Sequence, residues 1–361
     1  MAIYKSVKRL SLLVACAAFS LWQAPLKAQV QRYNATGENN YGIVYTLPKT
    51  KYEFVITTKQ CVFTPGELSA WGSKYLGKDV GVKSWQTSEI LDAKIRVVGV
   101  PNTEKQYLVA FDKKTIAPFV NLAPGGVIYS INGKNLPAQQ VEESLPTYAK
   151  PNRALPSFPK EYSLAITQAK RAEIASTYLY DIRENLMNIV SGEVDQMPKD
   201  GESMRLILDK LRGEEQRTLR LFEGDTTMTA QRYTLSIEPK AEDMEQPLAY
   251  LSPTSGFSET KMAQDAKPIT LRIKIVERSP ELDPKELARR EKSEGIVYNL
   301  PGIAEVSLVY DGKELAKERL PITQVGTIQT MSKKMLNIKE AGTTAIYFDL
   351  NSGTLNRVTT E

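Results

Sequence analysis

The sequence predicts an α+β protein in which two β-rich, sandwich-like regions are joined by a long antiparallel helical hairpin. Tyr52, Phe54 and Ile56 alternate with polar neighbours, which is typical of a half-buried strand. Between residues 165 and 189, apolar residues recur at steps of three and four, the period of one helix face. Alternation then returns and meets Asp311-Gly312, a strong hairpin turn. These changes of period divide the chain into segments 1–28, 29–158, 159–224 and 225–361.

The first segment has the three parts of a secretory signal peptide. Lys5, Lys8 and Arg9 form a positive region, and an apolar run up to Trp22 follows it. This run is shorter than the roughly 20 apolar residues that a bilayer-spanning helix needs. We therefore expect cleavage before Gln29. The mature protein is expected to be exported, periplasmic or outer-membrane-associated, and without a transmembrane segment.

The apolar run also contains Leu13-Val14-Ala15-Cys16, which resembles the lipobox of bacterial lipoproteins. A lipidated Cys16 would become the new N-terminus and would tether the protein to a membrane. The apolar stretch continues well past this cysteine, however, and few apolar residues precede it. The cleaved signal peptide is therefore the main expectation, and a lipid anchor at Cys16 is the alternative.

Residues 29–158 are predicted to be mainly β. Asn132-Gly133 closes an apolar run and indicates a two-residue hairpin. Thr64-Pro65-Gly66-Glu67 has the composition of a helix start, with Thr as N-cap, Pro at N1 and Glu at N3. The short helix that it opens is expected to end near Gly77. The boundary with the next segment is marked by four prolines, at 146, 151, 156 and 159.

The third segment is predicted to form two helices. The first runs from about Glu161 to Ser191 and would be roughly 45 Å long. Alanines line its first half, so close packing is expected there. The second helix ends near Glu223, with Gly224 beyond it. Two interpretations remain open: the hairpin could be an arm that binds a partner, or its apolar stripes could cover the β sheets, which is the more ordinary arrangement.

The fourth segment, residues 225–361, returns to β structure around a long polar loop at 239–268. It also repeats an earlier motif. Gly42-Ile-Val-Tyr-Thr-Leu-Pro48 recurs as Gly295-Ile-Val-Tyr-Asn-Leu-Pro301, with six of seven positions identical. The repeat predicts two equivalent strands or related β units, which is an architectural feature and not evidence for chemistry.

Charge and composition exclude several functional classes. The net charge of +5 falls to +1 once the four basic residues of 1–28 are removed, so no basic surface for nucleic acid is predicted. The chain has no histidine, which excludes Ser-His-Asp and Cys-His catalysis and makes a catalytic zinc site improbable. Once residues 1–28 are removed, Cys61 is the single cysteine, and its thiol is expected to be buried.

The remaining motifs give weak support for chemistry. Ser-x-x-Lys occurs at Ser157–Lys160 and Ser258–Lys261, but the partner motifs of penicillin-recognising enzymes are missing. Asp349 to Gly353 departs from a calcium loop in its glycine position and lacks the final glutamate. A pair of carboxylates could hydrolyse a glycan without histidine, and the candidates are Asp181, Glu184, Glu193 and Asp195. We predict no catalytic, cofactor-binding or metal-binding residue.

The order of several short motifs resembles one known family. They are Gly42 to Thr50, Gly192-Glu-Val-Asp195 with Pro198, Leu221-Phe222-x-Gly224, Gly295 to Gly302, and Leu320-Pro-Ile-x-Gln-x-Gly326. Together they resemble an exported Gram-negative family described as domain of unknown function 4831, across nearly all of the mature chain. The resemblance implies export. It implies no activity, cofactor or site residue.

The leading functional hypothesis is a non-catalytic cell-envelope protein that acts as an interaction or scaffold module. Its partner would be an envelope protein or polymer. The first alternative is a histidine-free carboxylate hydrolase acting on glycan or peptide. The second is a protein that binds an extracellular polymer. A converging acidic cleft would favour the hydrolase, a flat sheet with exposed aromatic residues would favour the polymer, and an exposed apolar helix face would favour a protein partner.

Overall fold

The computed structural model describes residues 30–32, 42–110, 120–133, 143–193, 200–292, 295–332 and 344–360. The predicted signal peptide and Cys16 lie outside these ranges. Within them, none of the helices combines the length and the apolar character that crossing a bilayer requires.

The α+β prediction is confirmed, and all the strand pairs within the sheets are antiparallel. The strands are β1 (Val30–Arg32), β2 (Gly42–Thr64), β3 (Trp85–Ala110), β4 (Val120–Leu122), β5 (Ile128–Ile131), β6 (Asp225–Ile237), β7 (Met244–Ser252), β8 (Gly256–Ser258), β9 (Lys267–Glu277), β10 (Gly295–Tyr310), β11 (Lys313–Ser332), β12 (Thr344–Phe348) and β13 (Leu355–Thr360). The helices are α1 (Gly72–Leu76), α2 (Lys160–Leu164), α3 (Gln168–Ser191), α4 (Gly201–Glu223) and α5 (Pro284–Lys292).

The described strands form three sheets. The first has the order β1-β3-β2-β6, the second β11-β10-β9-β7-β8, and the third β13-β12-β5-β4. The first and third sheets therefore each combine strands from both sides of the helical segment. The boundaries at 158 and 224 mark changes of secondary structure, and their status as domain boundaries stays a prediction.

The repeated motif begins two equivalent long strands. Gly42 is the first residue of β2, and Gly295 is the first residue of β10. In each strand the pairing register shifts at the proline of the motif or immediately before it, between Thr46 and Pro48 in β2 and between Leu300 and Gly302 in β10. Proline has no N–H to donate to the ladder, so the shift is expected there.

The two long hairpins β2–β3 and β10–β11 each contribute to two hydrophobic cores. One core joins the first and second sheets and includes Tyr52, Phe54, Ile56, Leu271, Val306 and Leu308. The other brings in the third sheet and includes Tyr45, Tyr107, Ile131, Ile296, Ile346 and Phe348. In β2 the residues before Pro48 belong to the second of these cores, and those after Thr50 belong to the first.

The two cores meet at a junction that we call the waist, formed by Pro48, Thr50, Asn299, Thr323 and the turn 349–353. The Asn299 side chain donates to Pro48 O at 2.8 Å and to Ser352 O at 2.9 Å. Gly353 has a φ of +72°, and a Cβ there would lie 2.7 Å from the Pro48 ring. The turn therefore fits between the two long hairpins only with glycine at this position.

The helix start predicted at Thr64 is wrong in position. Strand β2 continues to Thr64, and helical structure begins with a short 3₁₀ turn at 69–71 that leads into α1. A Cβ on Gly66 would lie 2.1 Å from Leu221 O, and Leu68 N donates to that carbonyl at 2.8 Å. This tertiary contact fixes the backbone where the local sequence favours a cap. The predicted end is confirmed, because Gly77 is the left-handed C-cap of α1.

Two further predictions need correction. The segment 239–268 is not one loop, since it contains β7 and β8. Strand β7 carries a register shift between Pro247 and Ala249, which breaks the alternation that would have revealed it. The helix predicted over 161–191 is two helices, because Thr167 accepts a hydrogen bond from Lys170 N and starts α3 afresh.

Candidate functional site

The helical pair α3–α4 is held at one end by a small apolar cluster. Ala172 and Ala175 of α3 and Leu221 and Phe222 of α4 pack with Leu68, which precedes α1. All five side chains are buried. Alanine lets the helices approach closely, as the alanine-lined first half of α3 predicted.

A buried carboxylate fixes the proline-rich segment to this base. Glu214 of α4 accepts hydrogen bonds from Ser157 N at 2.9 Å, Ser157 Oγ at 3.0 Å and Arg217 at 2.7 Å. Burial alone would raise the pKa of Glu214, but the hydrogen bonds from Ser157 and Arg217 together lower it. The Ser157 hydroxyl is therefore bound to a carboxylate, and the pair Ser157–Lys160 is not a nucleophile activated by lysine.

The apolar stripes of α3 and α4 pack mainly against each other and against the short helical segments near residues 68–76 and 160–164. Arg183 of α3 pairs with Glu215 of α4 at 2.8 Å, farther from the base. The more ordinary of the two interpretations was that these stripes cover the β sheets. The packing shows that this is not their main role. The alternative, an arm, agrees with this packing.

We call residues 184–193, which include the end of α3, and residues 200–212, which include the start of α4, the distal arm. Four of its large apolar side chains are exposed: Met187 (66%), Val190 (75%), Leu206 (70%) and, to a smaller extent, Ile207 (39%). Within the described part of the distal arm, side-chain hydrogen bonds join residues close in sequence, as when Ser203 N donates to Asp200 Oδ1 at 2.7 Å. The distal arm therefore presents apolar surface to solvent on both of its helices.

The sequence predicted the helices but missed these exposed side chains. The stripe read from the sequence contains Leu186 and Ile189, which are half-buried, whereas Met187 and Val190 lie one position off it. One signal in the sequence could have revealed the exposed side chains. The apolar stripe alone is wide enough to bury one face of its helix, so large apolar residues beside the stripe are expected to face solvent.

The candidate carboxylates do not form an active site in the described structure. Asp181 and Glu184 are exposed on the surface of α3, and Glu193 is exposed just after that helix. Asp195 lies outside the described residues. Inverting and retaining glycosidases need two carboxyl groups facing each other across a substrate cleft, whereas the described members of this set are exposed along a single helix and just beyond its end.

The other sequence motifs have local structural roles. Ser258 Oγ donates to Thr260 O at 2.7 Å, within its own turn. Asp349 Oδ1 accepts from Ser352 N at 2.7 Å and Asn351 N at 3.0 Å, which is turn stabilisation rather than calcium coordination. Cys61 is buried, as predicted. Among the described residues, no group of three or more His, Cys, Asp or Glu could hold a metal ion.

A cleft of about 340 Å³ lies beside the waist. Its lining is largely polar and includes Asn102, Gln324 and the ion pair of Lys49 with Glu238 at 2.7 Å. Gln324 is already engaged, since its amide donates to Thr50 O at 2.7 Å. The described lining contains no nucleophile paired with a base, so the cleft shows no catalytic arrangement.

Comparison with known proteins identifies a family and nothing more specific. No curated protein and no solved structure matches the chain significantly. A family model described as Domain of unknown function (DUF4831) matches residues 41–356, which is most of the chain and includes both copies of the repeated motif. The chain therefore belongs to the DUF4831 family, as the order of its motifs indicated.

Proposed function

We propose that the protein is an exported cell-envelope component that acts as a non-catalytic interaction or scaffold module, with the distal arm as its docking element. The exposure of Met187, Val190, Leu206 and Ile207 carries the proposal. Single exposed apolar residues are common on protein surfaces. Four of them within the distal arm are a feature of interaction sites.

The partner that suits this surface is a protein with an apolar groove. Helices that bind in grooves present large apolar side chains from neighbouring turns, as Met187 and Val190 do. Leu206 and Ile207 of α4 offer the same partner two further exposed apolar side chains on the second helix. The proposed location, periplasmic or outer-membrane-associated, rests on the signal-peptide features of residues 1–28.

The experiment is site-specific photo-crosslinking in cells, with the photoreactive residue placed at Val190 or at Leu206. We expect a reproducible adduct with one protein from both positions. Gln216, an exposed residue nearer the base of α4, is the matched control position and should give no such adduct. The substitution Met187→Lys should abolish the adduct formed from Val190.

The exposed positions keep this test separate from folding. Substitutions there should change the free energy of unfolding by less than about 0.5 kcal/mol. Leu208 and Leu211 are unsuitable because they are half-buried, so polar substitutions there would disturb the helical pair. Equal adducts from Val190 and Gln216, or adducts with glycan alone, would contradict the proposal.

A further inference from the structure

A second feature lies on the first sheet, on the face that points away from the shared core. Tyr52, Phe54 and Ile56 of β2 point into the core, so Val55 and Thr57 point to the opposite side. Across the ladder, Val55 pairs with Lys94 of β3, and Thr57 pairs with Arg232 of β6. The strand register therefore places two basic side chains beside these residues.

These residues line a cleft of about 180 Å³ that also includes Arg96, Asp92 and Glu143. Val55 and Thr57 are only 5% and 7% exposed, so the cleft has a floor that water barely reaches. Its charged lining consists of three cations (Lys94, Arg96 and Arg232) and two carboxylates (Asp92 and Glu143). Lys94 pairs with both carboxylates, so Arg96, beside this poorly solvated floor, is the group of the lining that we expect to bind an anion.

The chain itself places two carboxylates in this cleft, and that of Asp92 lies 3.8 Å from the Lys94 ammonium. Glu143 begins the proline-rich segment, and its carboxylate pairs with the Lys94 ammonium. The Arg232 guanidinium donates to the Glu143 carbonyl oxygen at 2.6 Å. The hydrogen bond from Lys94, with weaker contributions from Arg232 and Arg96, lowers the pKa of Glu143. The cleft thus already stabilises a carboxylate in its ionised form.

Arg96 has capacity for a further anion. Its side chain is exposed at the mouth of the cleft. Among the described residues, no carboxylate lies within ion-pair distance of its guanidinium. A guanidinium can bind a carboxylate or a phosphate through two parallel hydrogen bonds.

We propose that this cleft is a binding site for an oxyanion, the carboxylate or phosphate group of a ligand, held by Arg96 and Lys94 with Arg232 behind them. Glu143 acts there as an internal competitor for Lys94. The site is on the first sheet and independent of the distal arm, so this inference does not rest on the proposed docking function.

The test is calorimetric titration of the purified chain with inorganic phosphate and, separately, with glucuronate, at constant ionic strength. We expect saturable binding of at least one probe. Arg96→Ala should weaken it at least about fivefold, because a bidentate charged contact is lost. Glu143→Gln should tighten it about two- to fivefold, because the competing charge is removed. Arg319→Ala removes an exposed cation from β11 and should change affinity less than about twofold.

The two probes also distinguish the source of the oxyanion. Binding of phosphate alone supports a phosphoryl-bearing ligand, and binding of glucuronate alone supports an acidic sugar or another carboxylate. Absence of saturable binding by both probes overturns the proposal. Equal effects of Arg96→Ala and Arg319→Ala, or weaker binding after Glu143→Gln, overturn it as well.

Discussion

Thr50 and Thr323 exchange hydrogen bonds across the waist, although they are 273 positions apart in the chain. Thr50 N donates to Thr323 Oγ1 at 2.7 Å, and Thr323 N donates to Thr50 Oγ1 at 3.0 Å. Thr50 is completely buried, and Thr323 is nearly so. Each hydroxyl thus satisfies a backbone donor of the other long hairpin, at a point where β2 and β11 are not paired as neighbouring strands.

We predict that Thr50→Val lowers the free energy of unfolding by about 1–3 kcal/mol, because valine has the shape of threonine but leaves Thr323 N–H buried without an acceptor. Thr323→Val should have a similar effect through Thr50 N–H. Urea denaturation measures both. The control is Thr229→Val on the exposed side of β6, which should stay within about 0.5 kcal/mol of the parent. A Thr50→Val protein as stable as the control would contradict the prediction.

The repeated motif leads to a second prediction, because its two copies differ only at Thr46 and Asn299. Asn299 is buried, and its amide satisfies the carbonyls of Pro48 and Ser352. Asn299→Leu would leave both carbonyls without this donor and should cost about 3 kcal/mol or more. Asn356→Leu, at an exposed position of β13, is the matched control. Equal unfolding midpoints for the two variants would show that the amide does not hold the turn.

The sequence predicted elements best where the signal was local. Asp311-Gly312 forms the turn between β10 and β11, with a φ of +50° at Asp311 and +77° at Gly312. The second helix ends at Glu223 with Gly224 as its C-cap, as predicted. In both cases residues within one turn determine the outcome, since glycine accepts the positive φ that ends or reverses the chain.

Prediction was incomplete where contacts distant in sequence decide the outcome. The bond between Leu68 N and Leu221 O moves the helix start away from Thr64. The cleft residues Lys94 and Arg232 come together only through the pairing of β2 with both β3 and β6. The pattern of residues within one segment does not show which strands pair or in which register. The proposed oxyanion cleft could therefore not have been found from the sequence.

Processing of the N-terminus is a third prediction. If residues 1–28 are a signal peptide, protein isolated from the envelope should begin at Gln29, and intact-mass measurement would show the loss of those residues. Cys16→Ser should leave the mass of this mature form unchanged. A mature form that begins at a lipidated Cys16, and that is lost in Cys16→Ser, would instead establish the lipid anchor.

Glu214 gives a prediction about pH. Its pKa in the folded protein lies below its ordinary value of 4.5, because the hydrogen bonds from Ser157 and Arg217 outweigh the effect of burial. A lowered folded-state pKa means that the unfolded chain binds the proton more tightly. The stabilisation is therefore fully present above the ordinary pKa and is lost as the pH falls through the folded-state pKa.

Glu214→Gln should accordingly lower the free energy of unfolding by about 1–3 kcal/mol at pH 7, since Ser157 and Arg217 lose a charged acceptor. The difference between parent and variant should begin to shrink as the pH falls below the ordinary pKa of 4.5, and it should shrink further as the pH falls through the folded-state pKa and the parent carboxylate becomes protonated as well. Urea denaturation at pH 7 and at pH 3.5 measures this difference. Glu184→Gln, at an exposed position of α3, should have little effect at pH 7. A Glu214→Gln effect of equal size at both pH values would mean that shape, and not charge, fixes the proline-rich segment to α4.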